Sequence, residues 1–221
     1  MTIPHRHNPM GITPGGGGEL NPDRYAEFNG NVYFNTGVPA AGDLRLVWDF
    51  WYKREPAQGS NYWMLGSRDG STKRFTLVVA TGTPRSIRFD IADPYEVAFP
   101  VNLPANRTLL DIDSVSGMCF TNGVASGNFS GIPRNFNNGY PLFLGAHNTD
   151  GNVSPKEWFL GNIYRCKLWK AGVPVRDFFP LASGETLNGV TAGANGFIDL
   201  INNAMYYPVA GTVAVQGSLY I

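Results

Sequence analysis

Charge is the scarcest property of this sequence. Only 15% of its 221 residues are Asp, Glu, Lys or Arg, with 17 of each sign and a formal net charge of zero, where soluble proteins average roughly 25%. With no excess of either sign, nothing draws in a phosphate backbone or an anionic lipid surface, so nucleic acid is not expected as a partner. Long apolar runs are missing too. No stretch approaches the roughly 18 residues of a spanning helix, and the opening MTIPHRHNPMG lacks the charged-then-apolar layout of an export signal, so neither membrane insertion nor signal-led export is expected. Cysteine is limited to Cys119 and Cys166, far from the close spacing of a zinc knuckle or redox pair. They read as buried reduced thiols, with a bridge between adjacent strands as the alternative. Of the three histidines, His5 and His7 flank Arg6 in a polar tail and His147 sits in a turn. No metal or other cofactor is expected.

What is abundant is punctuation: 27 glycines and 16 prolines. Four prolines and the run Gly15 to Gly18 fall within Met1 to Asp23, which has few large apolar side chains. This composition cannot offset its own ordering entropy, so residues 1–23 are expected to be a flexible arm that orders against a partner, and residues 24–221 a single domain. From Tyr25 onward, apolar stretches of strand length alternate with turn signals, and no sustained 3.6-residue period appears. The clearest alternation, Leu44 to Lys53, puts Leu44, Leu46, Trp48, Phe50 and Tyr52 on one face, expected in the core, and Arg45, Asp49 and Trp51 on the other. The pairs Asp69-Gly70, Asn122-Gly123, Asn138-Gly139 and Asp150-Gly151 tolerate the positive φ of tight turns. Many short strands with no helices between them bury their faces as a sandwich or a closed barrel.

Several ordered segments resemble one family. Tyr33-Phe34-Asn35-Thr36-Gly37, Met64 to Arg68, Pro141 to Asn148, GNIYRCKLWKAGVPVRDFFPL from Gly161 to Leu181, and Gly196 to Tyr207 are together similar to a laminin G-like, concanavalin A-like jelly-roll family. That family is frequent in phage structural proteins and gut-bacterial surface proteins. The resemblance covers about residues 25–207 and implies an all-β fold, a two-sheet antiparallel jelly-roll sandwich with an extended N-terminal arm. It also implies that loop rims bind glycans or proteins, or that the domain is an appendage on a virion. Within its longest segment, Ile163, Arg165, Lys167 and Trp169 should alternate against Tyr164, Cys166 and Leu168, and Arg176 and Asp177, on opposite faces, should meet different partners.

Catalytic constellations are not found. A glycan hydrolase needs two carboxylates across the scissile bond. The nearest match to the E-x-D-x-x-E strand of laminarinase-like relatives is Asp90-Ile91-Ala92-Asp93-Pro94-Tyr95-Glu96, which starts with Asp and is broken by Pro94. It reads as a strand end. Asp111 and Asp113 share a face and could form a carboxylate pair or a calcium ligand set, but they precede a turn-like Ser114. No nucleophile elbow, phosphate loop or zinc motif occurs. The chain is therefore read as a non-enzyme. A ligand site, if present, is placed on the rim carrying His147, Asn148, Asp150 and Trp158, where a polar turn meets an aromatic ring. The function that absorbs most of these features is a bacteriophage virion structural protein, a capsid decoration, head-fibre or tail-associated subunit assembled in the host cytoplasm. It would contact other virion proteins through the arm, form a homo-oligomer or part of a larger assembly, and display a lectin-like domain toward a host-surface glycan. The alternative is a stand-alone carbohydrate-binding module of a bacterial surface protein.

Overall fold

The alternation around Trp48 is the axis of the structure. The computed structural model describes residues 18–53, 62–70, 73–80, 86–92, 96–99, 106–130, 135–154 and 158–221. In it Leu44–Tyr52 is one strand with Leu44, Leu46, Trp48, Phe50 and Tyr52 fully buried and Arg45 and Trp51 exposed. A side-chain period of two delivers every second residue to the same face, so five large apolar groups enter the core from one strand.

Numbered in chain order, the strands begin with β1 (Tyr25–Asn29), β2 (Phe34–Ala41), β3 (Leu44–Tyr52), β4 (Tyr62–Asp69), β5 (Lys73–Ala80), β6 (Ser86–Ile91) and β7 (Glu96–Phe99). The middle of the chain forms β8 (Thr108–Asp113), β9 (Met118–Thr121), β10 (Val124–Asn128), β11 (Asn137–Leu144), β12 (Asn148–Thr149) and β13 (Asn152–Val153). The last third adds β14 (Leu160–Lys170), β15 (Val173–Leu181), β16 (Thr186–Leu187), β17 (Val190–Thr191), β18 (Gly196–Asp199), β19 (Ala204–Tyr206) and β20 (Ala214–Gln216). No helix occurs among the described residues.

The larger sheet runs β10-β9-β8-β3-β14-β15-β18-β19, with β1 pairing both β14 and β20. The second runs β13-β12-β4-β5-β6-β7, with β11 joining β2 and β4. One cluster of buried side chains draws on both: Trp48, Phe50 and Cys166 come from the larger sheet, and Phe75, Leu77 and Phe89 from the smaller. The fold is the all-β jelly-roll sandwich implied by the sequence resemblance. Among the described residues its strands pair antiparallel except where β12 lies parallel to β4, and an isolated parallel bridge joins Trp63 to Trp158.

Turn chemistry acts as expected at Asn122-Gly123, whose φ values of 50° and 79° close β9 onto β10 with Thr121 opposite Val124. Asn138-Gly139 differs. It lies inside β11 at a shift of register, and buried Asn138 donates to Ser67 Oγ at 3.1 Å and to the Lys73 carbonyl at 3.2 Å, so the pair makes a bulge and not a reversal. A second bulge corrects the alternation expected along β14. The register shifts between Ile163 and Arg165, which moves Ile163 into the core with Cys166 and Leu168 and leaves Tyr164 against Tyr25. Cys119 and Cys166 are buried free thiols on β9 and β14, with β8 and β3 between them, too far apart to bridge.

The base of the N-terminal segment is anchored. Leu20 bridges Tyr220, Asn21 N–H donates to the Leu219 carbonyl at 3.1 Å, and Asp23 pairs with Arg107 at 2.6 Å. Arg24 is almost wholly buried, donating to the Pro180 carbonyl at 2.9 Å and pairing with Glu185. Residues 18–23, expected as part of the arm, thus pack on the body. Residues 1–17, with His5 and His7, lie outside the described residues, as do Asp93, Pro94 and Tyr95.

Candidate functional site

The rim expected to carry the site is the β12–β13 hairpin, turned by Asp150 and Gly151 at φ of 52° and 86°. The structure brings the four expected residues near one another but turns two of them inward. His147 and Asn148 are fully buried. The His147 ring stacks on Trp63 with centroids 4.1 Å apart and 15° between planes, and Nδ1 lies 3.2 Å from Thr149 Oγ1. Burial, reinforced by Arg68 and Arg74, lowers its pKa from 6.5 to about 3, so the imidazole is neutral. Asn148 donates to the Pro141 carbonyl at 2.9 Å. Asp150 is exposed but accepts the Gly70 N–H at 2.9 Å. Half-buried Trp158 gives its indole N–H to the Ser154 carbonyl at 2.8 Å and packs edge-on against Tyr33. The correction has a plain cause: β12 runs alongside β4, so the residues leading into it are covered by that strand instead of projecting from a free loop.

The outer face of the larger sheet, which carries Arg45, Asp49 and Trp51, is closed differently. Arg45 grips Asp111 with bonds of 2.9 and 2.8 Å and lies 5.1 Å above Trp169. Arg165 grips Asp177 at 2.7 and 2.8 Å, with Lys167 3.5 Å away. Arg107 holds Asp49 at 2.8 and 2.6 Å and sits 3.9 Å above the Tyr164 ring. Arg176 instead donates to the Thr36 carbonyl at 2.8 Å, so these sequence neighbours do meet different partners. Each of these cations has a carboxylate or carbonyl, and the rings of Trp169 and Tyr164 each have a cation above them. The Asp111 and Asp113 carboxylates are engaged too, Asp111 by Arg45, and Asp113 by Val115 N–H at 2.9 Å and Ser116 Oγ at 2.8 Å. Among the described residues no three His, Cys, Asp or Glu side chains converge on a point that could hold a metal.

A third region remains open. Beyond β19 the chain passes Tyr207 and Pro208, and between them, the loop at Ser183, the Gly193–Asn195 turn and residues 211–213 lies a groove of about 460 Å³. The Tyr207 ring rests near Gly196, where an added Cβ would come within 3.3 Å of ring carbon Cδ1, and the residue is 43% exposed. Its hydroxyl accepts the Gly193 N–H at 3.0 Å. Asn195 Oδ1 accepts the Ser183 N–H at 2.9 Å and Nδ2 donates to the Val213 carbonyl at 2.9 Å. An aromatic ring, an amide and the hydroxyls of Ser183 and Thr212 thus surround one concavity. The sequence reading missed it, although the Tyr206-Tyr207 doublet held a clue: Tyr206 packs on core Phe178 with centroids 5.0 Å apart, and its extended neighbour must face the other way.

No protein-family model matches the chain, and no curated protein matches its sequence. Among solved structures it is similar to the native heptameric SAP-like pentraxin from Limulus polyphemus, at 12% identity over 89% of this chain and 95% of that one, with a TM-score of 0.53. It is also similar to the CBM40 of the Ruminococcus gnavus IT-sialidase bound to alpha2,3 sialyllactose, at 15% identity over 69% of this chain and 92% of that one, with a TM-score of 0.49. At such identities the likeness is one of fold, and the chain has the fold of the lectin-like jelly rolls.

Proposed function

We propose that this chain is a non-catalytic carbohydrate-binding module whose ligand occupies the groove beside Tyr207. The observation that carries the reading is the open side of that ring. Sugars present an apolar C–H face and a rim of hydroxyls, and an exposed aromatic among amide and hydroxyl groups is complementary to both. Of the two alternative surfaces, the outer sheet face has its cations and the rings of Trp169 and Tyr164 engaged from within the protein, and the hairpin rim has His147 and Asn148 buried out of reach of solvent. A glycan array with the intact protein and Tyr207→Ala tests the reading: binding by the first and at least about tenfold weaker binding by the second is expected. Binding unchanged by the substitution, or absent for every glycan, would remove it. Release of reducing ends from a bound polysaccharide would overturn the non-catalytic part.

Attachment to a phage particle is a second reading that we propose from the sequence resemblance, and the anchoring of Leu20, Asn21 and Asp23 to the body is compatible with it. Whatever residues 1–17 grip would be mechanically coupled to the sandwich through those contacts. Its test is recovery of the protein in purified particles and loss of that association on deleting residues 1–17. Recovery only in a bacterial surface fraction would remove the virion placement and leave glycan binding untouched.

A further inference from the structure

None of the described residues lining the groove beside Tyr207 carries a charge at neutral pH. The nearest ion pair in the sequence, Arg24 with Glu185, is closed on itself, because Arg24 is 1% exposed and the Glu185 carboxylate also accepts the Ala182 N–H at 2.8 Å. What the groove offers a ligand follows from its internal bonds. Asn195 spends its carbonyl on Ser183 N–H and one amide hydrogen on Val213, which leaves one N–H to donate. Tyr207 Oη accepts from Gly193, so its own O–H is free to donate. Ser183 Oγ donates to the Gly193 carbonyl at 3.2 Å and keeps its lone pairs, and exposed Thr212 adds a hydroxyl that can do either. Neutral donors and acceptors of this kind match sugar hydroxyls, each of which donates one hydrogen bond and accepts up to two.

To a carboxylate they offer hydrogen-bond donors but no opposite charge. An anion leaving water for this groove would find no cation among the described lining residues to offset its lost hydration. The aromatic face it would approach carries the negative side of the ring quadrupole. We propose that the groove selects uncharged sugar rings and discriminates against uronic and sialic acids. This rests on the carbohydrate-binding reading and names the ligand class within it.

The experiment compares sugars that differ only in the carboxylate. The full chain is titrated with the methyl β-glycosides of glucose, galactose and N-acetylglucosamine, and with methyl β-glucuronide and galacturonide, and followed by calorimetry and amide NMR. Neutral glycosides are expected to shift resonances of Gly193, Asn195, Tyr207 and Thr212, and the uronides to bind at least about tenfold more weakly. Two variants guard against a trivial loss of fold. Gly193→Leu should block the groove and leave the fold intact, since an added Cβ there has only Tyr207 Oη within 4 Å, at 3.5 Å. Thr212→Arg should strengthen uronide binding and narrow the gap by supplying the missing cation. Uronides binding as tightly as neutral sugars, with both lost in Gly193→Leu, would overturn the selectivity while sparing the module. Neutral binding that survives Gly193→Leu would overturn the groove as its location. No binding by any glycoside or by the array would overturn the carbohydrate reading itself, and this inference with it.

Discussion

The β12–β13 hairpin and the groove beside Tyr207 each combine polar side chains with an aromatic ring, and they differ in exposure. At the hairpin, neighbouring strand β4 covers the polar residues, so His147 stacks on Trp63 and Asn148 serves the chain's own carbonyl. At the groove no strand among the described residues pairs onward from β19, and Tyr207 is 43% exposed. Polar composition alone therefore does not mark an open surface. What separates the two is whether the next element of the sheet arrives to cover the residue.

The largest effect expected from breaking this comparison sets its scale. Trp48→Ala should cost about 3–5 kcal/mol in equilibrium denaturation, because a fully buried ring wedged beside Phe50 and Phe159 leaves a cavity the sheets cannot close. A loss under about 1 kcal/mol would mean that β3 is packed in a different register.

Acid should act on the hairpin and spare the groove. The folded state holds His147 neutral with a pKa near 3, against 6.5 when unfolded, so between these values the unfolded chain binds more protons. Stability is then greatest above pH 6.5 and falls as pH falls toward 3, by on the order of 3 kcal/mol at pH 4 from this residue. His147→Phe keeps a ring on Trp63 but cannot titrate. In urea denaturation the variant should be within about 1 kcal/mol of the native chain at pH 7 and more stable than it at pH 4. Equal losses in both proteins between pH 7 and 4 would show that the imidazole reaches water.

A smaller contrast separates two truncations. Removing residues 1–17 should change stability by less than about 0.5 kcal/mol, whereas removing residues 1–23 should cost on the order of 1–2 kcal/mol, because it strips the Leu20 bridge, the Asn21 bonds and the Asp23 partner of Arg107. Identical unfolding curves would return residues 18–23 to the arm. The smallest effect belongs to the outer sheet face. Arg45 is 44% exposed, so Asp111→Asn should cost no more than about 1 kcal/mol, and less at high salt. Tyr207→Ala should be equally mild for stability while weakening the proposed glycan binding at least about tenfold.

How much of this was legible beforehand depends on the range of the cause. The core face of β3, the Asn122-Gly123 and Asp150-Gly151 reversals and the separate partners of Arg176 and Asp177 were readable, because backbone periodicity and φ preference act within a few residues. The bulges in β11 and β14 were not, since each exists to fit a strand to a neighbour far away in the chain. The burial of His147 depends on β4 lying alongside β12, some 80 residues apart in sequence at the Asp150–Gly70 bond. The groove depends on residues 183, 193–195, 207 and 211–213 meeting at the end of one sheet. Local alternation determined which residues are strands and which face of each is apolar. Only the tertiary arrangement decided which polar residues stay in water, because that turns on whether another strand has a free edge to pair with and therefore covers them.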